Sequence, residues 1–212
     1  MTNMELWNRV CVTDPTAVKP ITGKQYKGNS PKPYWLIQRA TEELGPCGIG
    51  WGVNVLNERF ERLTENDVLH VAMVEVWYVL GDKRGTIQQM GQTKAAYMSK
   101  NGLMVDEDAP KKSVTDGMVK CLSMLGFAGD IFSGLWDDSK YVEFAKHETY
   151  VRESSAALDK ALEALKQSQT MDELATHFKA STKVFADESQ REKLIAAKDQ
   201  RKHELEKLNV PA

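Results

Sequence analysis

Between Val68 and Leu80 the chain reads VLHVAMVEVWYVL, which is apolar on both faces of a pleated strand except at His70 and Glu75. A strand of that kind has to be covered on both sides, so the rest of the domain must be arranged around it. Gly81-Asp82-Lys83-Arg84-Gly85 is a turn, and Thr86 to Thr93 follows as another strand, with Gln88, Gln89, Gln92 and Thr93 making one side distinctly polar. Upstream, Ile49, Trp51, Val53 and Val55 alternate. They predict a strand with one buried face, running toward Phe60 with a bulge.

Asp108 to Gly126, DAPKKSVTDGMVKCLSMLG, supplies the covering helix. Asp108 is placed as N-cap, Pro110 fits the first turn, and Gly126 is placed to end the helix. Val114, Met118, Cys121 and Leu125 form its inner stripe, and Lys111, Lys112, Thr115, Asp116 and Lys120 lie on the other side. Because Lys112, Asp116 and Lys120 are four apart, this side also reads as a solvated face with i,i+4 ion pairs. Three antiparallel strands and then a helix predict an α+β fold, a three-stranded sheet in β-β-β-α order packed with helices. Lys94 to Val105 reads as a connector.

Further helices are expected at Glu5 to Val10 and at Tyr34 to Leu44, the latter with Leu36, Ile37, Ala40 and Leu44 inward. Pro20 to Pro33 is a loop by its Gly, Asn, Ser and Pro content, and Gly126 to Asp138 a short irregular crossing. From about residue 147 the composition changes: Gly disappears, and Ala, Leu, Glu and Lys dominate. Leucines near 158 to 165, the Met171–Leu174–Phe178 stripe and Leu194 to Leu208 predict a small all-helical C-terminal unit. The division expected is therefore 1–146, a core, and 147–212, a helical tail.

Several functions are disfavoured by the residues. GIGWG lacks the Gly-Lys-Ser/Thr ending of a phosphate loop and opens a strand, so nucleotide binding is rejected there. Cys11, Cys47 and Cys121 are widely spaced and near no histidine at ligand spacing, which reads as buried thiols in a reducing compartment rather than a zinc site. His70, His147, His177 and His203 have no matching nucleophile nearby in sequence, and the acid pairs at 106/108 and 137/138 fit capping roles. No catalytic residue, metal or cofactor is expected. The absence of a long apolar run and of a secretory leader pattern predicts a cytoplasmic protein without a membrane span.

The net charge of −2 hides an uneven distribution. Pro15 to Thr41 holds Lys19, Lys24, Lys27, Lys32 and Arg39 and no acid; Lys83 to Val105 holds Lys83, Arg84, Lys94 and Lys100 and no acid. Tyr26, Tyr34, Trp35 and Tyr97 fall within these stretches. Cations for phosphates and rings for bases occur together, as single-strand sites require, although Tyr34 and Trp35 fit core packing equally well.

The segment KKSVTDGMVKCLSMLGF resembles the K-x-x-V-T-D-G-x-x-[KR]-x-L-x-x-x-G helix of the single-strand annealing proteins, the eukaryotic Rad fifty-two recombination mediators and the related phage Sak-type proteins. Lys111, Val114, Thr115, Asp116, Gly117, Lys120, Leu122 and Gly126 fall in register, and YWLIQRATEELGPCGIGW is similar to the family's helix, glycine turn and first strand. The likeness spans roughly Thr22 to Val142. Val119 and Ser123 stand where eukaryotic relatives are basic.

This resemblance implies an ATP-independent protein that binds single-stranded DNA and anneals it in phage-type homologous recombination, as a homo-oligomeric ring or helix. It implies a DNA groove along the helix. The DNA-binding residues expected from likeness and composition together are Lys24, Tyr26, Lys27, Lys32, Lys83, Arg84, Lys94, Lys111, Lys112 and Lys120. A single-strand-binding protein or exonuclease is the partner envisaged for the tail. The competing expectation is an oligomeric structural or adaptor protein of a replication or recombination complex, without annealing activity.

Overall fold

The computed structural model describes residues 4–22, 27–185 and 187–208. The chain divides into two compact units, Met1–Lys146 and His147–Ala212. In order along the chain the elements are α1 (Glu5–Val10), β1 (Val18–Pro20), β2 (Asn29–Pro31), α2 (Pro33–Leu44), β3 (Trp51–Arg62), β4 (Val68–Leu80), β5 (Lys83–Ser99) and β6 (Gly102–Val105). Then come α3 (Ala109–Met124), α4 (Gly129–Phe132), α5 (Ser139–Gln167), α6 (Met171–Val184) and α7 (Glu188–Leu208). The dividing line thus falls inside α5.

The architecture is α+β, with an antiparallel sheet in the order β3-β4-β5-β6 and a separate two-stranded sheet, β1-β2. The three-stranded sheet expected from sequence is corrected to four strands. The supposed connector Lys94 to Val105 continues β5 to Ser99 and, after a turn in which Gly102 takes φ +106°, returns as β6, pairing Ala96 with Val105 and Ser99 with Gly102. Small and polar residues there conceal the strand pattern. Ala95 is the extra residue of a register shift opposite Val68 and Leu69, which accounts for the break in periodicity. The Pro20–Pro33 loop likewise hides β1 and β2, in register with Val18 opposite Pro31.

β4 is central, flanked by β3 and β5. One face packs its Ala72, Val74 and Val76 into a core with Leu36, Ala40, Trp51, Met118, Cys121, Leu122 and Phe127. Each such aliphatic group, fully buried, is worth about 2 kcal/mol of transfer free energy. The β3 stripe is shorter than expected: Trp51 is buried, but Ile49 lies in the preceding turn and Val55 is exposed. The bulge between Val55 and Asn57 redirects β3 beyond this point. On β5 the polar residues divide between faces, since Gln89 opposes core Val74 whereas Gln88 opposes Glu75 and hydrogen-bonds it.

α3 crosses the sheet at a glycine pair. A Cβ on Gly91 of β5 would lie 1.8 Å from the Ser113 carbonyl oxygen, and one on Gly117 would lie 2.6 Å from Val74 Cγ2. Only a Gly–Gly crossing permits this approach. Asp108 sits at the N-cap position with φ −88° and ψ 2° but makes no capping bond, a correction to the expected role. That backbone is not the extended N-cap conformation from which a side chain reaches back. Instead the Asp108 amide donates to Asp106 Oδ1, and its carboxylate pairs with Lys111 at 2.6 Å.

Around α4 the chain is closed by the buried Asp130. Its oxygens accept from Thr13 N (2.8 Å), Thr13 Oγ1 (2.6 Å), Ile131 N (2.8 Å), Trp136 Nε1 (2.8 Å) and Tyr141 Oη (3.0 Å). A buried carboxylate with this many donors is fully compensated, and it ties the N-terminal segment to the start of α5. Burial first, and Asp130 next, push the Tyr141 hydroxyl well above the ordinary tyrosine range.

In the second unit Leu158, Leu165, Leu174, Phe185, Leu194 and Leu205 form a separate small core. Thr170 caps α6 by accepting from Glu173 N at 3.1 Å. Among the described residues no helix is long and apolar enough to cross a membrane.

Candidate nucleic-acid interface

α2 begins at Pro33, directly after β2, so Lys32 and Tyr34 stand at its N-terminal end beside the N-terminal half of α3. A cavity of about 410 Å³ is lined by Lys19, Ser30, Pro31, Pro33, Asp108, Lys111, Lys112, Thr115, Asp116 and Val119. A more apolar one of about 460 Å³ shares Pro33 and Thr115 with it and adds Lys32, Tyr34, Ile37, Val53, Val114 and Met118. Shared walls make these one groove along α3. Four lysines (19, 32, 111 and 112) line it against two acids, Asp108 and Asp116.

Tyr34 is 84% exposed at the groove, whereas Trp35 is half-buried against the core. The alternative of core packing therefore holds for Trp35 and fails for Tyr34. The exposed face of the Tyr34 ring is free to stack on a base.

Both groove lysines of α3 hold acids. Lys111 meets Asp108, and Lys112 meets Asp106 at 2.6 Å. The first is an exposed pair, weak in water and open to exchange for another anion; in the second the lysine is exposed but Asp106 is half-buried and also accepts from the Asp108 amide. The Asp106 hydrogen bond is the main reason Lys112 titrates above its usual range, and the Lys111 hydrogen bond holds Asp108 below the usual carboxylate range.

Lys120 does something else. Its ammonium bonds Asp116 Oδ2 (2.8 Å) and the Met90 carbonyl (3.2 Å), while Asp116 Oδ2 also accepts from Gln92 N at 3.1 Å. β6 pairs with β5 over residues 96–99 and the Asp106 amide donates to the Ala95 carbonyl, so β5 presents open backbone groups from Lys94 back to Lys83. Asp116 and Lys120 cover one donor and one acceptor of that edge. Of the solvated-face pairs expected on this helix, Asp116–Lys120 forms, but Lys112 goes to Asp106 rather than Asp116.

The other expected positions scatter. Lys27 is exposed just beyond the undescribed residues, and Lys24 and Tyr26 lie outside the described residues. Lys83 and Arg84 open β5, with the Arg84 guanidinium 4.5 Å over the Trp77 ring. Lys94 lies 3.5 Å from Asp67 and over the Tyr97 ring at 5.5 Å. Of the ten residues named from sequence, the groove gathers Lys32, Lys111 and Lys112. Two groove residues, Lys19 and Tyr34, were outside that set. The signal for Lys19 was the β1–β2 pairing, which sets it opposite Ser30 and which a Gly- and Pro-rich stretch concealed.

Val119 lines the groove as an apolar wall, and Ser123 turns its hydroxyl to the Lys120 carbonyl. His70 is buried with Nδ1 unpartnered and Nε2 3.5 Å from Glu58 Oε2. Among the described residues no group of three or more His, Cys, Asp or Glu could hold a metal ion. In comparison with known proteins the chain matches no family model and no curated protein.

Proposed function

We propose that this protein binds single-stranded DNA along α3 and anneals complementary strands without ATP, as a homo-oligomeric ring or helix in phage-type recombination. The observation that carries the reading is the convergence of Lys19, Lys32, Lys111 and Lys112 with the exposed Tyr34 ring in one groove. Phosphates displace Asp108 from Lys111, an exchange of one exposed ion pair for another that costs little, and draw the exposed Lys112 ammonium from the half-buried Asp106, which keeps its bond from the Asp108 amide. Tyr34 offers a face on which any base can stack, which gives affinity without sequence preference. The apolar wall at Val119 limits the phosphate contacts of a single groove, so affinity is built by repeating the groove along an assembly.

The helical unit 147–212 is proposed to dock a single-strand-binding protein or exonuclease, and the protein to work in the host cytoplasm. The test is binding to single strands of increasing length at several salt concentrations, with annealing of complementary strands followed in the absence of nucleotide. Affinity should rise with length and fall steeply with salt, with a slope of about −3 per engaged groove for four phosphate contacts at ~0.7 each. Weak, salt-insensitive binding with no annealing would leave the adaptor role as the better account.

A further inference from the structure

The two long edges of the sheet are finished differently. β5's open edge is partly covered from α3, but among the described residues β3 pairs, apart from a single bridge of Trp51 to Cys47 at its start, with β4 alone, and Asn54 to Phe60 is exposed without interruption. Phe60 is 62% exposed, and Leu56 and Leu63 are exposed beside it. A long bare edge with apolar side chains is a template for another strand.

We infer that β3 pairs antiparallel with β3 of a second copy, in the register centred on Phe60. The reason is the order of charges in Glu58-Arg59-Phe60-Glu61-Arg62. Residues directly opposite across an antiparallel ladder point to the same face, so a strand paired with itself must be centred on a residue. With Phe60 at the centre, Glu58 stands opposite Arg62 of the second copy, and Arg59 opposite Glu61. All four charges then meet opposite charges across the seam. The two Phe60 rings meet on one face, an aromatic pair of the kind that stabilises cross-strand contacts. Centring on Glu58, Arg59, Glu61 or Arg62 places that charge against itself. Arg59 and Glu61 already touch within one chain at 2.6 Å, so pairing converts two such contacts into a square of alternating charge. The matched segment, Glu58 to Arg62, is of ordinary strand length, and the contact is isologous with a twofold axis through Phe60. It lies along β3 away from Val53, the one β3 residue in the groove wall, and leaves the groove open.

This contact is independent of the DNA reading, and its test does not use DNA. Arg59→Glu and Glu61→Arg are compared with the intact full chain by light scattering at matched concentration, with melting curves confirming that each variant folds. Each variant alone opposes like charges across the seam and should show half the solution mass of the intact protein, whatever assembly the seam joins. In a mixed pair the glutamate introduced in one variant faces the arginine introduced in the other, and the Glu61 kept by the first faces the Arg59 kept by the second. Mixing should therefore restore the full mass. The charges serving only to keep β3 apart from other strands predict no change of mass in either variant. A head-to-tail contact of β3 with another edge predicts a mass loss that mixing does not restore. Either result overturns the self-pairing.

Discussion

The two halves of α3 carry the same residue types and do different work. In the N-terminal half Lys111 holds the exposed Asp108 and Lys112 holds the half-buried Asp106, and each of these ammonium groups meets a carboxylate rather than the backbone of the sheet. In the C-terminal half Asp116 and Lys120 are tied to the backbone of β5, and a phosphate could engage Lys120 only by uncovering the sheet edge. A cation's neighbours, more than its presence on a helix face, decide whether it is available to a ligand. Gly117, next to Asp116, lies against Val74 and sets the height of the helix over the sheet.

The largest effect should come from that crossing. Gly91→Val forces α3 off β5, since even a methyl carbon meets the Ser113 carbonyl at 1.8 Å. A loss of about 3 kcal/mol or more is expected in chemical denaturation, at the upper end of overpacking effects. A loss below about 1 kcal/mol would mean that the helix does not sit this close.

How far the sequence revealed this can be judged on the same helix. The inner stripe, the Gly126 stop and the central β4 were legible because apolar periodicity is local and strong. β6 was not, because Ala95 breaks the period, and β1–β2 was not, because its strands are three residues each. The availability of the lysines was hidden for a different reason. Asp106 lies six residues from Lys112, and Met90 thirty from Lys120, so those partners depend on the fold rather than on spacing.

Next in size is Asp116→Ala, which strips Gln92 N and Lys120 of their acceptor together. About 1–2 kcal/mol should be lost, the cost of leaving polar groups poorly satisfied. Lys120→Ala should cost less, about 0.5–1 kcal/mol, and should change single-strand affinity little. If Lys120→Ala instead abolishes binding while the melting temperature stays put, the two halves are not distinct.

The smallest effect concerns pH. Lys112 titrates above its ordinary value of 10.5, so what its pair with Asp106 contributes is fully present below that value and lost as pH rises through the folded-state value. The melting-temperature difference between the intact protein and Lys112→Ala should therefore be constant from neutral pH to about 9 and shrink only in stronger alkali. A difference that shrinks near neutrality would show that Lys112 is not held by its carboxylate.

The most direct test of the groove is the salt dependence of single-strand binding for the intact chain and for Lys111→Ala/Lys112→Ala. Two lost phosphate contacts should flatten the slope of log affinity against log salt by about 1.4 per engaged groove, with the melting temperature almost unchanged. An unaltered slope and affinity in the double variant would contradict the assignment of α3 as the DNA-binding helix.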